Sequence, residues 1–160
     1  MSDSYTQLHV QLVFAVKYRQ ALIRKSWKNK LHAYITGVVQ NNGHKMVSIN
    51  SMPDHIHILI GYRPSQLLGN LVENIKTSSN KWIKASGLSW HPFAWQNGYG
   101  AFSYSRSQIP AIARYIENQE NHHRKQSFRE EYLGLLKSMD ILYDERYVFE
   151  FFDDISGYDE

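Results

Sequence analysis

The chain has no cysteine among its 160 residues. That absence excludes disulfides and thiolate metal sites, and it fits a reducing cytoplasm. No apolar run approaches the roughly 18 residues of a membrane span, so no transmembrane segment is expected. The start, Met1-Ser2-Asp3-Ser4-Tyr5, has neither the basic residues nor the apolar stretch of a secretory leader, and a cytoplasmic location is expected. No internal repeat and no low-complexity linker interrupts the pattern. The length suits one domain, with room for an extension.

Charge is scarce in total but unevenly placed. The formal net charge is +3. Residues 140–160 hold eight acids and a single base, Arg146, a net −7 that leaves +10 on residues 1–139. A basic body with an acidic tail fits a polyanionic partner, and equally a solvated surface with a charged end.

Hydrophobic periodicity gives the elements. Leu8, Val10, Leu12, Phe14 and Val16 alternate with polar or small residues, the period of a strand with one buried face. Leu31, Ile35 and Val38 follow helical spacing from a start near Ser26 to about Gln40, where Asn41-Asn42-Gly43 stops the helix. Lys45 to Ile49 reads as a second strand. A turn at Met52-Pro53-Asp54 leads into a third, and the short spacing predicts an antiparallel pair. A helix capped by Ser65 carries Leu67, Leu68, Leu71, Ile75, Trp82 and Ile83 on one face and ends at Gly87. Strand pieces at Phe93-Ala94-Trp95 and Gly100 to Tyr104 flank the turn Asn97-Gly98. A helix from about Ser107 to Arg124 has Pro110 in its first turn. A shorter helix covers Phe128 to Ser138, and the aromatic stretch Tyr147 to Phe152 is expected to pack back on the body. The order β-α-β-β-α-β-α predicts an α+β fold of the ferredoxin-like, split βαβ kind. Its antiparallel sheet carries helices on one face and leaves the other open.

The third strand carries the chemistry. In His55-Ile56-His57-Ile58-Leu59-Ile60 the isoleucines share one face, and His55, His57 and Leu59 share the other. The two imidazoles lie about 7 Å apart along the strand at a rise near 3.3 Å per residue, close enough to converge on one cation. Two such histidines also fit a surface pair or a satisfied polar pair. On the later helix, Tyr115 and Gln119 stand at i and i+4, on one face. Gln119 could add a carbonyl oxygen and Tyr115 a phenol, or the two could be an ordinary aromatic–amide pair.

Three segments in this order resemble the single-tyrosine HUH transposases of the IS200/IS605 type, including the REP-associated tyrosine transposases. They are Val16-Lys17-Tyr18-Arg19, Met52-Pro53-Asp54-His55-Ile56-His57 and Tyr115-Ile116-Glu117-Asn118-Gln119, supported by Trp95-Gln96-Asn97-Gly98-Tyr99. The resemblance covers about residues 5–125. It implies a catalytic domain over residues 1–125 and a helical, acidic extension over residues 126–160. It implies that His55, His57 and Gln119 bind a metal and that Tyr115 is the nucleophile. Attack on single-stranded DNA beside a hairpin would leave a 5′-phosphotyrosine link and a free 3′-OH. The resemblance also implies a homodimer, with Tyr115 serving its own or its partner's site.

The residue chemistry agrees with these expectations. A cation on a non-bridging oxygen neutralises charge that develops during in-line attack. A phenol with a pKa near 10 needs such help at neutral pH. Two imidazoles and an amide suit Mg²⁺ or Mn²⁺. Lys17, Arg19, Lys76, Lys81 and Lys84 are candidate phosphate contacts. Trp95, Tyr99, Phe102 and Tyr104 could stack on bases, at about 1–3 kcal/mol each, or belong to the core. His122-His123-Arg124-Lys125 could add positive charge near the tyrosine. A second metal site there is not expected, because adjacent helical side chains diverge. Two other readings stand: a non-catalytic single-stranded nucleic-acid-binding protein, and a phosphodiesterase using activated water. The second is disfavoured because no second H-x-[ST] motif is present.

Overall fold

The computed structural model describes residues 4–153 and 155. In chain order it contains β1 (His9–Ala15), α1 (Lys25–Asn41), β2 (Lys45–Met52), β3 (His55–Gly61), α2 (Leu68–Ser86) and β4 (Gly100–Tyr104), then α3 (Ile109–Glu117), α4 (Gln119–His123) and α5 (Phe128–Ser138). The strands form one antiparallel sheet in the order β2-β3-β1-β4. The α+β, ferredoxin-like arrangement expected from the element order is therefore present.

The register assigns the two faces. Ile56, Ile58 and Ile60 pair with Phe14, Leu12 and Val10. These residues meet Trp27, Leu31, Ile35 and Val39 of α1 and Leu71, Val72, Ile75 and Ile83 of α2 in one core. Each such side chain contributes about 1.5–3 kcal/mol by leaving water. His55 and His57 pair with Ala15 and Val13, so they lie on the opposite face. A bulge in β2 between Met46 and Ser48 sets Ser48 opposite Leu59 and Asn50 opposite His57, on that same face.

That second face is covered, where the element order alone predicted an open one. Leu59 is fully buried, as are both histidines. The cover consists of α3, α4, α5 and the segment after α5. Phe128 of α5 stacks on His55, with ring centroids 3.9 Å apart. Phe149 returns to pack against Phe128 and Tyr132. The stretch Tyr147 to Phe152 does pack back, although Tyr147 itself is exposed. Among the tail acids, Asp154, Asp159 and Glu160 lie outside the described residues.

Three boundaries differ from the sequence expectation. Helix α2 begins at Leu68 without a side-chain cap, and Leu67 projects into solvent. Phe93-Ala94-Trp95 makes only a single bridge, Val16 to Trp95. The helix expected from Ser107 to Arg124 breaks at Asn118 (φ −94°, ψ 21°). The cause is Asn50, whose Nδ2 donates to the carbonyls of Ile116 (2.9 Å) and Glu117 (3.3 Å). Those oxygens would otherwise accept intrahelical bonds four residues on.

Candidate active site

β3 presents His55 and His57 from below, and the helices bring five side chains onto them from above. Glu131 is the centre. Its Oε1 lies 2.9 Å from His57 Nε2, 3.3 Å from His55 Nε2 and 3.2 Å from His123 Nε2. Its Oε2 accepts from Gln119 Nε2 at 3.0 Å and from the Tyr115 hydroxyl. Gln119 Oε1 in turn lies 3.2 Å from His55 Nε2 and 3.0 Å from His123 Nε2. The break at Asn118 does not scatter Tyr115, Gln119 and His123, which still project to one side. His122 stacks on the Tyr115 ring, with centroids 4.3 Å apart.

Each histidine is oriented from behind. Asp54 Oδ1 is 2.7 Å from His55 Nδ1. A proton held there points Nε2 at Glu131 and Gln119, and once the ring gives up its second proton this is the tautomer that ligates a cation. His57 Nδ1 meets Gln11 Nε2 at 2.8 Å, and Gln11 Oε1 accepts from the Tyr104 hydroxyl at 2.7 Å. In this arrangement His57 Nε2 carries the proton toward Glu131. Rotating the Gln11 amide by 180° lets Oε1 accept from Nδ1 and frees Nε2 for a cation.

The electrostatics follow from this packing. Burial works against the protonated form of His55, but the charge and hydrogen bond of Asp54, joined by Glu131, raise its pKa to about 9. His57 goes the other way: burial dominates and lowers it despite Glu131. Burial alone would raise the Glu131 carboxyl. The three imidazole nitrogens that crowd its oxygen, at 2.9–3.3 Å, hold it below the usual carboxylate range instead. Burial and the adjacent Glu131 charge push the Tyr115 phenol up. The carboxylate accepts the phenol's hydrogen bond and orients the hydroxyl, but at so low a pKa it is a weak base, and its negative charge disfavours a bare phenolate.

The donors fit a hard or borderline divalent cation. His55, His57 and Glu131 each offer one ligand atom, all within 4.8 Å of one another. The close pairs, at 2.9–3.3 Å, match the separation of about 3 Å between neighbouring ligands with bonds of about 2.1 Å.

Residues 4–119 match the family described as IS200-like transposases. The chain belongs to this family. It is 25% identical over 120 residues to the ISDra2 transposase TnpA of Deinococcus radiodurans, across 72% of this chain and 86% of that protein. The solved structure of a protein assigned as a transposase from D. radiodurans R1 superposes with a TM-score of 0.59 at 26% identity, covering 74% of this chain and 95% of that one. A REP-associated tyrosine transposase, solved bound to a REP hairpin, gives a TM-score of 0.57 over 98% of this chain and 95% of that one. At 14% identity it speaks for the fold alone.

Among the family residues read from the sequence, His55, His57, Tyr115 and Gln119 converge within one chain. Glu131 lies beyond the matched residues and was not foreseen. Its signal was nevertheless present. Phe128, Glu131, Tyr132 and Leu136 make the buried stripe of α5, and an acid in such a stripe requires a partner.

The five cationic candidates do not gather. Lys76 is on α2, on the far side of the sheet, above the Phe14 ring. Its ammonium donates to the carbonyls of Gln96 (2.8 Å) and Gly98 (2.6 Å), and burial lowers its pKa to about 8. Lys81 and Lys84 are exposed on the same helix. Lys17 and Arg19 line a cavity of about 490 Å³ with Tyr18, Gln20, Phe151 and Phe152, and with the acids Glu150 and Asp153. That cavity adjoins the site, because Phe151 packs on Phe128 and Phe128 on His55. Of the aromatic candidates, Trp95 and Phe102 belong to the core, with the Trp95 indole donating to Ser79 Oγ, while Tyr99 is exposed.

Proposed function

We propose that this transposase nicks and rejoins single-stranded DNA, at sites beside hairpins, through a covalent Tyr115 intermediate and with a divalent cation, Mg²⁺ or Mn²⁺. One observation carries this reading. The Tyr115 hydroxyl bonds one oxygen of Glu131, whose other oxygen faces His55 and His57. Nucleophile and cation ligands thus share a single carboxylate.

His55, His57, Glu131 and Gln119 Oε1 would hold the cation, with substrate oxygen and water completing its shell. When bound, it supplies positive charge to a non-bridging phosphate oxygen and to Glu131. Tyr115 Oη would attack phosphorus in line, oriented by its hydrogen bond to Glu131 Oε2, and its proton would leave to solvent. The P–O3′ bond breaks, and the departing oxygen takes up a proton to leave as a 3′-OH. The phosphotyrosine retains the energy of the bond, so a second 3′-OH can reverse the step without a nucleotide cofactor. His122 stacks on the Tyr115 ring and holds its plane. The phosphates flanking the cut are proposed to run past Lys17 and Arg19, with Tyr18 and Phe151 offering faces to unpaired bases. Lys81 and Lys84 would meet DNA on the other side of the molecule, and Lys76 would act through the loop it holds.

A homodimer in the cytoplasm remains part of the proposal. Because Tyr115 meets the histidines of its own chain, dimerisation is not needed to assemble this set.

The test is incubation of labelled single-stranded hairpin DNA with the protein and Mn²⁺, followed by a denaturing protein gel. A label that migrates with the wild type and is lost in Tyr115→Phe supports the reading. Adducts in Tyr115→Phe would remove the assignment of the nucleophile. Tight binding without any adduct would leave a non-catalytic single-strand binder.

A further inference from the structure

We infer that His123 is a third imidazole ligand of the divalent cation, so that three histidines and Glu131 surround it. The inference deepens the proposed function and rests on that function's metal site. Three observations carry it.

First, His123 Nε2 addresses the same carboxylate oxygen as the two strand histidines, at 3.2 Å against 2.9 Å and 3.3 Å. Three imidazole nitrogens therefore cluster around one oxygen atom. Second, His123 Nε2 lies 3.0 Å from Gln119 Oε1, which itself touches His55 Nε2. Each close pair that His123 makes is spaced like neighbouring ligands on one ion. Third, only 9% of the His123 side chain is exposed, and its ring centroid is 4.7 Å from that of His55. His123 Nε2 thus lies between the oxygens of two proposed ligands, beside the group formed by His55, His57 and Glu131.

The sequence spacing explains how it arrives there. Tyr115, Gln119 and His123 recur every four residues, so nucleophile, amide and imidazole lie along one side of the helix pair. His122 cannot take this role, because its ring is stacked on Tyr115. The pair His122-His123 thus does not form a second site: one member joins the first and the other flanks the nucleophile.

The experiment is Mn²⁺ titration of the full-length protein without DNA, by calorimetry and by pulsed electron paramagnetic resonance, which reads the nitrogen nuclei coupled to the ion. The wild type is expected to show three coupled imidazoles. His123→Gln retains a hydrogen-bonding side chain but offers no imidazole, and is expected to show two, with affinity reduced tenfold or more. His123→Ala, with folding checked by circular dichroism, is expected to match it. Unchanged nitrogen couplings and affinity within twofold of wild type in His123→Gln would overturn the inference while leaving the metal site intact. A wild type that binds no Mn²⁺ would overturn the metal site itself, and His123 with it.

Discussion

Glu131 Oε1 stands 2.9 Å from His57 Nε2, across 74 residues of chain and between a helix and the sheet beneath it. It is the one carboxylate among the described residues that groups with both strand histidines. Glu131→Gln keeps the shape and removes the charge. The variant is expected to bind Mn²⁺ at least tenfold more weakly by calorimetry, in line with the loss of a charged partner at a metal site. It should also lose about 1–3 kcal/mol of stability without metal, because hydrogen bonds to a charged group are lost. Wild-type affinity in this variant would exclude Glu131 as a ligand.

Gly100 sits beneath the residue that follows Glu131. A Cβ at position 100 would lie 2.7 Å from the Tyr132 hydroxyl oxygen and 2.8 Å from its ring edge. Gly100→Ala is therefore expected to cost about 1–3 kcal/mol, the usual range for overpacking. It should weaken Mn²⁺ binding as well, by lifting α5 and Glu131 with it. Adding Tyr132→Leu removes both clashing atoms and is expected to restore the metal affinity. A double variant as weak as the single one would show that the strain lies elsewhere.

A cation that binds the folded chain stabilises it by mass action. At a hundred times its Kd, Mn²⁺ contributes about 2.7 kcal/mol. For a chain of this size that corresponds to roughly 5–10 °C in Tm, reversed by a chelator. Asp54→Ala is expected to weaken Mn²⁺ binding about 10- to 100-fold and to shrink this thermal shift, because His55 loses the group that fixes its tautomer. An undiminished shift in Asp54→Ala would show that His55 is oriented by something else.

His32 gives the pH dependence. It lies on α1 with Nε2 2.7 Å from Ser51 Oγ, and burial together with the Lys28 charge lowers its pKa to about 4. In the unfolded chain the value is about 6.5. Between these two values the unfolded chain binds a proton that the folded one refuses, so stability falls as pH falls through that window. Allowing for partial exposure, the loss is about 1–2 kcal/mol. Urea titrations should show a shallower decline from pH 6.5 to 4 for His32→Gln than for wild type. Parallel curves would mean that His32 titrates normally.

The strands and the histidine register were legible because period-2 alternation in β1 and β3 fixes which face each residue takes. The i, i+4 pair Tyr115 and Gln119 was legible for the same kind of reason. Glu131 and His123 were not. Both depend on a long-range packing choice, the folding of α5 back over β3, which no local period encodes. The break at Asn118 escaped as well, because its cause is a side chain on β2, Asn50, distant in sequence. The cap of α2 was misplaced because Ser65 has the right chemistry but the chain turns helical only at Leu68.

The side chains of the proposed site are made in a fixed order. A ribosome synthesises His55 and His57 first, Tyr115 and Gln119 next, and Glu131 after them. A nascent or prematurely terminated product can thus hold both histidines and Tyr115, the proposed nucleophile, while lacking the carboxylate that joins them. Under the proposed function, synthesis through α5 then becomes a condition for reactivity, and chains that end before it are expected to form no covalent adduct.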